Sequence, residues 1–171
     1  MKSSDLNINE YASYYANYVK QAGSKNILEA LQESNEILNT LFSDISEERM
    51  NYKYAKDKWS IKELLLHIID TERVFAYRAL RFAREDKTDL PGFEQDDYVI
   101  TSDANTRSKA SLLNEYNFQR ASTIALFSSF NDSMLMKIGM AGGNPMSVRA
   151  IGFITSGHEV HHCNILRERY L

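Results

Sequence analysis

Four long stretches of this chain carry apolar residues at the three- and four-residue spacing of an amphipathic helix. The pattern predicts long helices over about residues 26–43, 60–84, 109–130 and 147–171. A shorter leading helix is predicted over 9–22, where four tyrosines fall on one stripe and are expected to pack on the other helices: Tyr11, Tyr14, Tyr15 and Tyr18. No segment alternates convincingly between apolar and polar residues, so we predict no strand.

These elements place the chain in the all-α class. Four long helices pack most economically as a four-helix bundle, with the short helix added at the N-terminus. Only 7 glycines and 2 prolines interrupt the 171 residues, and few helix breakers favour long helices. Because this length suits one domain with a sizeable core, we expect residues 1–171 to form a single domain.

The second long helix begins with a recognisable capping sequence. Ser60 is predicted to be its N-cap and Glu63 its third helical residue, which together form a capping box. Trp59 and Leu64 have the spacing of a hydrophobic staple across the same helix start. We therefore expect this helix to begin sharply at residue 60.

The connection between the second and third long helices, residues 85–106, is unusually long. It contains Pro91, Gly92 and several acids but shows no helical period, and such segments are usually lids, crossovers or disordered. In an up-down-up-down bundle the second and fourth long helices are parallel, whereas a crossover between the second and third makes them antiparallel. The length of 85–106 favours the crossover and an up-down-down-up bundle.

The overall composition excludes several classes of protein. The net charge is −3 and the isoelectric point about 5.8, so no general phosphate-binding surface is indicated. The single cysteine, Cys163, excludes a disulfide within the chain. The sequence contains neither a signal-peptide pattern at its N-terminus nor an apolar run long enough to span a membrane. We expect a cytoplasmic protein with a small-molecule substrate and no nucleic-acid or membrane partner; a homodimer is a candidate assembly.

Three of the four histidines lie within five residues of one another: His158, His161 and His162. Residues four apart on a helix point the same way and are about 6 Å apart along its axis, so His158 and His162 can share one ion. His158 and His161, three apart, could also pair. Ile151 and Leu166 lie on the face of His158 and His162, which favours that pair as the inward one.

The fourth histidine, His67, lies about 10 Å from the start of the second long helix, at a rise of about 1.5 Å per residue. By the same rise, His158 and His162 lie about 10–20 Å from the end of the last helix. If the two helices are antiparallel, the three imidazoles reach one level of the bundle. Loop length and helix positions thus agree on a bundle in which they converge.

Three converging histidines suggest a metal site. Neutral imidazole is a common metal ligand, and three of them leave positions open to water or substrate, as catalytic sites do. We therefore predict that His67, His158 and His162 bind one divalent metal; the alternative is that they are ordinary surface or core histidines. Zinc is the default metal, and nickel, iron or manganese would also fit.

Four other polar residues lie near the histidines in the sequence or on the predicted apolar stripes. Two of them have a functional and an ordinary interpretation, and the other two are not expected to bind the metal. Asp70, one turn after His67, could orient a histidine, or it could be an ordinary solvated residue. Arg120 interrupts the apolar stripe of the third long helix; it could bind an anion in the pocket, but we favour an outward-pointing side chain. Glu159 and Cys163 point about 100° away from the neighbouring histidines, so we expect neither to be a ligand, and Cys163 to be a buried small hydrophobe.

The motifs around these histidines resemble those of the DinB-like superfamily, including its YfiT-like branch. They are K-W-S-I-K-E-L-L-L-H-I-I-D-T-E-R at 58–73 and G-H-E-V-H-H-C-N-I-L at 157–166, and the likeness covers nearly the whole chain from Asn26 onward. The resemblance implies an up-down-down-up bundle and a metal held by His67 and by the first and last histidines of H-x-x-H-H. Relatives include thiol S-transferases, a mycothiol-dependent isomerase and metal-dependent hydrolases, and many members have no assigned activity.

We therefore expect a metal-dependent enzyme in which the reacting group is a metal-bound thiol or water. Our first hypothesis is a transferase that conjugates a low-molecular-weight thiol to a small electrophile. A metal-dependent hydrolase is the second hypothesis. A metal-binding protein without turnover, or a bundle without metal, are the remaining alternatives. The 85–106 segment is expected to border the pocket as a lid or crossover, and Tyr98 could reach a substrate from there.

Overall fold

The computed structural model describes all 171 residues and is mainly helical. Four long helices form the bundle, as predicted, and three short ones flank them. In chain order they are α1 (Ala16–Gln21), α2 (Ile27–Ser43), α3 (Ile61–Ala83), α4 (Gln95–Thr101), α5 (Lys109–Ser128), α6 (Asp132–Leu135) and α7 (Val148–Ile165). A wider helical turn, Leu166–Tyr170, continues α7 almost to the end of the chain.

The long helices begin where local capping sequences place them. The predicted capping box of α3 is confirmed: the Glu63 N–H donates to Ser60 Oγ at 3.1 Å, and the Ser60 N–H donates to Glu63 Oε2 at 2.6 Å. Asn26 and Glu29 form a second capping box at the start of α2, and the Ser108 and Ser147 side chains accept N-cap hydrogen bonds at the starts of α5 and α7.

The predicted helix over 9–22 is wrong for its first half. Residues 3–15 form three separate single turns, and only Ala16–Gln21 is α-helical. The carboxylate of Glu10 explains the interruption, because it accepts hydrogen bonds from the Asn7 N–H, from Ser147 Oγ and from the guanidinium of Arg149. Burial by itself would raise the pKa of Glu10, but these hydrogen bonds, with Arg149 foremost, lower it to about 2. This ion pair fixes the N-terminal segment to the start of α7.

The prediction that the chain has no strand is also wrong. A small sheet of order β1-β2-β3 consists of β1 (Asp89–Leu90), β2 (Ile138–Ala141) and β3 (Asn144–Ser147). β2 and β3 form an antiparallel hairpin around Gly142 and Gly143, which both have the positive φ that a tight hairpin turn requires. β1 pairs in parallel with β2. Strands of two to four residues are too short to show the alternation that predicts a strand.

The direction of α3 relative to α7 follows from their side-chain contacts. The Tyr170 hydroxyl, at the end of the chain, donates to the carbonyl of Trp59, just before α3, at 2.8 Å. Further along α3, His67 lies against His158 and His162 of α7. The two helices are therefore antiparallel, which places the three histidines at one level.

The core is divided into two apolar clusters with a polar layer between them. One cluster surrounds the first half of α7, and the other surrounds the first half of α3 and the end of α7. Between them lie buried polar side chains from all four long helices: Ser34, His67, Thr71, Glu72, Arg120, Thr123, Thr155, Ser156, His158, Glu159 and His162. Buried polar groups need partners, so this layer is where a functional site is most readily built. No helix of this structure combines the length and apolarity that crossing a bilayer would require.

Candidate metal centre

The Nε2 atoms of three histidines converge in the polar layer. His158 Nε2 lies 3.1 Å from His67 Nε2 and 3.0 Å from His162 Nε2. All three potential ligand atoms lie within 4.8 Å of one another. These are the three histidines that the sequence singled out, and the structure brings them together from two antiparallel helices.

Burial keeps all three imidazoles neutral near pH 7. It lowers the pKa of His67 to about 4. It also lowers the pKa values of His158 and His162 well below their usual value, and the neighbouring histidines add to this effect. Neutral imidazole is the form that binds a metal, so the chemistry of the cluster suits a metal centre.

The two nitrogen–nitrogen distances from His158 also fit a shared ion. Two nitrogens that each lie about 2.0–2.1 Å from one ion are about 2.8–3.4 Å apart at angles from octahedral to tetrahedral. The separations of 3.0 and 3.1 Å fall within that range. No carboxylate or cysteine joins the three histidines as a fourth ligand, so the donor set is that of an open site.

The outer nitrogens of the histidines have few partners. His67 Nδ1 lies 3.5 Å from Thr71 Oγ1, at the limit of a hydrogen bond, and His162 Nδ1 is buried without a partner. Aromatic rings hold the imidazoles instead, with Trp59 4.8 Å from His67 and Tyr18 5.3 Å from His158 between ring centroids. Packing therefore orients the ligands more than hydrogen bonds do.

Sequence reasoning did not identify Thr71 and Tyr18 as neighbours of the site. Thr71 could have been found, because it lies one helical turn after His67 on the same face. Asp70, which was considered instead, accepts a hydrogen bond from Arg73 at 3.1 Å. The position of Tyr18 depends on the packing of α1 against α7, which leaves no local signal in the sequence.

The neighbours of the histidines on α7 lie where the helical geometry predicts. His161 is only partly buried, and its ring packs on both Tyr18 and His162, with centroids 5.3 and 5.2 Å apart, but it does not belong to the group of ligand atoms. Cys163 is fully buried, and burial raises the pKa of its thiol to about 12. A thiol that stays protonated in this way is a packing residue, not a nucleophile.

Arg120 does not point outward, contrary to our expectation. It is 1% exposed, and its guanidinium donates to both carboxylate oxygens of Glu72 at 2.9 and 2.7 Å. It also lies 2.6 Å from Glu159 Oε2 and donates to the Leu31 carbonyl and Ser34 Oγ, both at 2.8 Å. Arg120 thus connects α5 to the other three long helices, and its partner Glu159 is the chain neighbour of His158.

The carboxylate of Glu159 has a second donor in this network. The Tyr116 hydroxyl donates a hydrogen bond to it. Burial raises the pKa of Glu159, although Arg120 acts in the opposite direction. Because Glu159 is committed to Arg120 and Tyr116, the expectation that it is no metal ligand agrees with its contacts.

Two cavities reach the histidine cluster. The first, here called the tyrosine cavity, has a volume of about 280 Å³ and is lined by five aromatic side chains and His158: Tyr14, Tyr15, Tyr18, Phe75 and Phe93. The second, here called the tryptophan cavity, has a volume of about 300 Å³ and is lined by Trp59, Tyr54, Tyr170, Lys58 and His162 among others. Residues 93–96 of the 85–106 segment border the tyrosine cavity, as expected, but Tyr98 lines neither cavity.

Gly157 allows α1 to approach α7 beside the cluster. A Cβ at this position would clash with the carbonyl of Tyr18, which is backbone and cannot rotate away. We expect Gly157→Ala to destabilise the protein by about 1–3 kcal/mol, the usual range for overpacking, although alanine is the better helix former. Chemical denaturation measures the change. Gly92→Ala is the matched control, because a Cβ at Gly92 meets nothing within 4 Å; equal effects of the two substitutions would contradict the close-packing argument.

Comparison with known proteins agrees with this fold. A family model described as the DinB superfamily matches residues 30–166. Among solved structures, YfiT from Bacillus subtilis, described as a probable metal-dependent hydrolase with an unusual four-helix bundle topology, matches with a TM-score of 0.72. The two chains are 13% identical over 83% of this chain and 82% of that one, a likeness that shows the fold alone. No protein of curated function matches the sequence.

Proposed function

This chain belongs to the DinB superfamily, and we propose that it is a metal-dependent enzyme with His67, His158 and His162 as the metal ligands. The observation that carries the proposal is the convergence of three buried, neutral imidazoles on one point without a fourth protein ligand. A structural metal site is usually closed by four ligands, whereas an open one leaves room for a reactant.

The metal would supply the activation that the chain's own side chains lack. A divalent metal held by the three histidines would lower the pKa of a bound thiol or water and so make a nucleophile available near neutral pH. Zinc is the default choice, and nickel, iron or manganese also accept three imidazoles. The aromatic side chains around the cluster limit access of bulk water and position the reactants.

We propose transfer of a low-molecular-weight thiol to a small electrophile as the reaction. The thiol loses its proton, its sulfur forms a bond to an electrophilic carbon, and the leaving group departs with the electrons of its former bond and takes up a proton. Two cavities at one cluster support a reaction of two substrates. Cys163 does not replace the added thiol, because it is buried and protonated.

Hydrolysis is the second candidate function. It is favoured by the description of YfiT as a probable metal-dependent hydrolase. In that reaction water takes the place of the thiol, and the leaving group is the alcohol or amine of an ester or amide.

A rate measurement under four conditions tests the proposal: with and without added thiol, each with and without a chelator. We expect conjugation of an electrophile such as 1-chloro-2,4-dinitrobenzene to need both thiol and metal, because neither the chain nor water supplies the sulfur. The Cys163→Ala variant is the control and should retain the rate. Turnover of an ester or amide at a rate that does not depend on added thiol would favour hydrolysis. Full metal without turnover of either substrate class would favour a metal-binding protein.

The helix order and the domain organisation belong to the same proposal. We propose the up-down-down-up order, with 85–106 as the crossover and 1–171 as one domain. It is supported by contacts between helix starts: Ile27 of α2 lies beside Gly152 of α7, and Ser60, before α3, donates to Asn105, before α5, at 2.6 Å. The cytoplasmic location and the homodimer stay predictions.

A further inference from the structure

The tyrosine and tryptophan cavities meet the cluster at different histidines. The tyrosine cavity touches His158, and the tryptophan cavity touches His162. Asp96, at the start of α4, is the one side chain that lines both. The cluster is therefore approached from two sides, with the 85–106 segment between the entrances.

The two cavities differ in charge. The charged side chains that line the tyrosine cavity are both acidic, Glu94 and Asp96, and the rest of its wall is largely aromatic. This wall suits an uncharged aromatic molecule, which stacks on the rings and is not repelled by the carboxylates. An anionic substrate would be disfavoured there.

The tryptophan cavity carries charges of both signs. Lys58 offers an ammonium group, while Asp57 and Asp96 offer carboxylates, on one rim around Trp59. Groups of opposite charge on one rim are complementary to a ligand that itself carries a carboxylate and an ammonium. The same rim is less suited to an uncharged aromatic ligand, for which its charged groups offer no partner.

We infer that the two reactants use different cavities: a zwitterionic, amino-acid-like thiol occupies the tryptophan cavity, and an uncharged aromatic electrophile occupies the tyrosine cavity. The inference rests on the proposed thiol transfer and assigns the substrate class of each side. It places Lys58 and Asp57 as specificity-determining residues for the thiol.

Trp59 provides a readout that does not depend on turnover. It is the single tryptophan of the chain and lines only one of the two cavities, so its fluorescence reports occupancy of the tryptophan cavity. Three thioethers serve as probes on the metal-free protein: S-methyl-L-cysteine, 3-(methylthio)propionate and 2-(methylthio)ethylamine. All three have a methyl-capped sulfur. S-methyl-L-cysteine carries both a carboxylate and an ammonium, 3-(methylthio)propionate carries only the carboxylate, and 2-(methylthio)ethylamine carries only the ammonium.

We expect S-methyl-L-cysteine to bind about threefold or more tightly than either singly charged probe, the range of exposed ion pairs. Lys58→Gln and Asp57→Asn should each remove most of that advantage, and asparagine tolerates the positive φ of residue 57. Tyr14→Ala, in the other cavity, is the control and should leave the dissociation constant within about twofold, since Tyr14 does not line the tryptophan cavity.

Two outcomes would overturn the inference. Equal dissociation constants for the three probes, or no binding of any of them, would reject a zwitterionic ligand in the tryptophan cavity. Displacement of bound S-methyl-L-cysteine by benzyl alcohol would reject separate cavities for the two reactants. Since these measurements use metal-free protein, their failure is distinct from failure of the thiol-dependent rate assay.

Discussion

Replacing Arg120 by methionine is expected to destabilise the fold by about 3–5 kcal/mol, the range for removal of one partner of a buried ion pair. Glu72 and Glu159 are 2% and 0% exposed, and without the guanidinium both carboxylates lose their countercharge in the interior. Methionine fills much of the same volume, so the loss comes from charge and hydrogen bonds and not from a cavity. Chemical denaturation monitored by circular dichroism measures the free energy of unfolding.

The surface offers a matched control for this experiment. Arg73 also joins α3 to α5, through Glu115 at 2.6 Å, but its side chain is 45% exposed. We expect Arg73→Met to change stability by no more than about 1 kcal/mol. Adding Glu72→Gln and Glu159→Gln to Arg120→Met should recover part of the loss, because neutral amides cost less to bury than carboxylates. A loss below about 1 kcal/mol for Arg120→Met alone would show that the network does not hold the helices together.

His162→Ala is expected to lose most of the bound metal, whereas His161→Ala keeps it. His162 Nε2 points into the cluster, whereas His161 packs its ring on Tyr18 and His162 and contributes no atom to the group of ligand nitrogens. Removing one of three ligands should lower metal affinity by more than about a hundredfold, beyond the effect of losing an outer hydrogen-bond partner. Metal content per chain after dialysis, followed by titration with a competing chelator, gives the two affinities.

His67→Ala extends the test to the second helix of the site and should match His162→Ala. Circular dichroism of each variant controls for folding, since these histidines are buried. If His161→Ala lost as much metal as His162→Ala, the pair at three-residue spacing would become the better assignment. Retention of full metal by His67→Ala would remove α3 from the site.

The extent of the predicted helices shows what local sequence can specify. The start of α3 needs only Ser60 and Glu63, three residues apart, and both hydrogen bonds form as the capping box predicts. The short strands were not predicted because their pairing depends on residues that are distant in the sequence. The pairing of Asp89 with Met140 joins residues far apart in the chain, and neither strand has enough residues to show a period.

Arg120 was misjudged because its partners are distant in sequence. Glu72 and Glu159 lie on two other helices, 48 and 39 residues away along the chain, and nothing near Arg120 identifies them. When no partner is evident in the sequence, a single arginine in an apolar stripe is expected to extend its guanidinium to solvent. Only the packed bundle shows that three other helices supply acceptors to Arg120 at one point.

The candidate metal centre was likewise predictable from local sequence in one part and dependent on tertiary structure in another. The sequence by itself determined that His158 and His162 share a face, since their spacing on a helix fixes their relative direction. Tertiary structure decided that His67 joins them, because the antiparallel packing of α3 on α7 brings together residues 91 positions apart. The tertiary structure also determined where the two cavities lie and that Tyr18 packs against His158. The walls of these cavities come from separate elements, so they form only when the chain is packed. Helical geometry is local and can be read from spacing, whereas the surroundings of a site depend on long-range contacts that no single segment encodes.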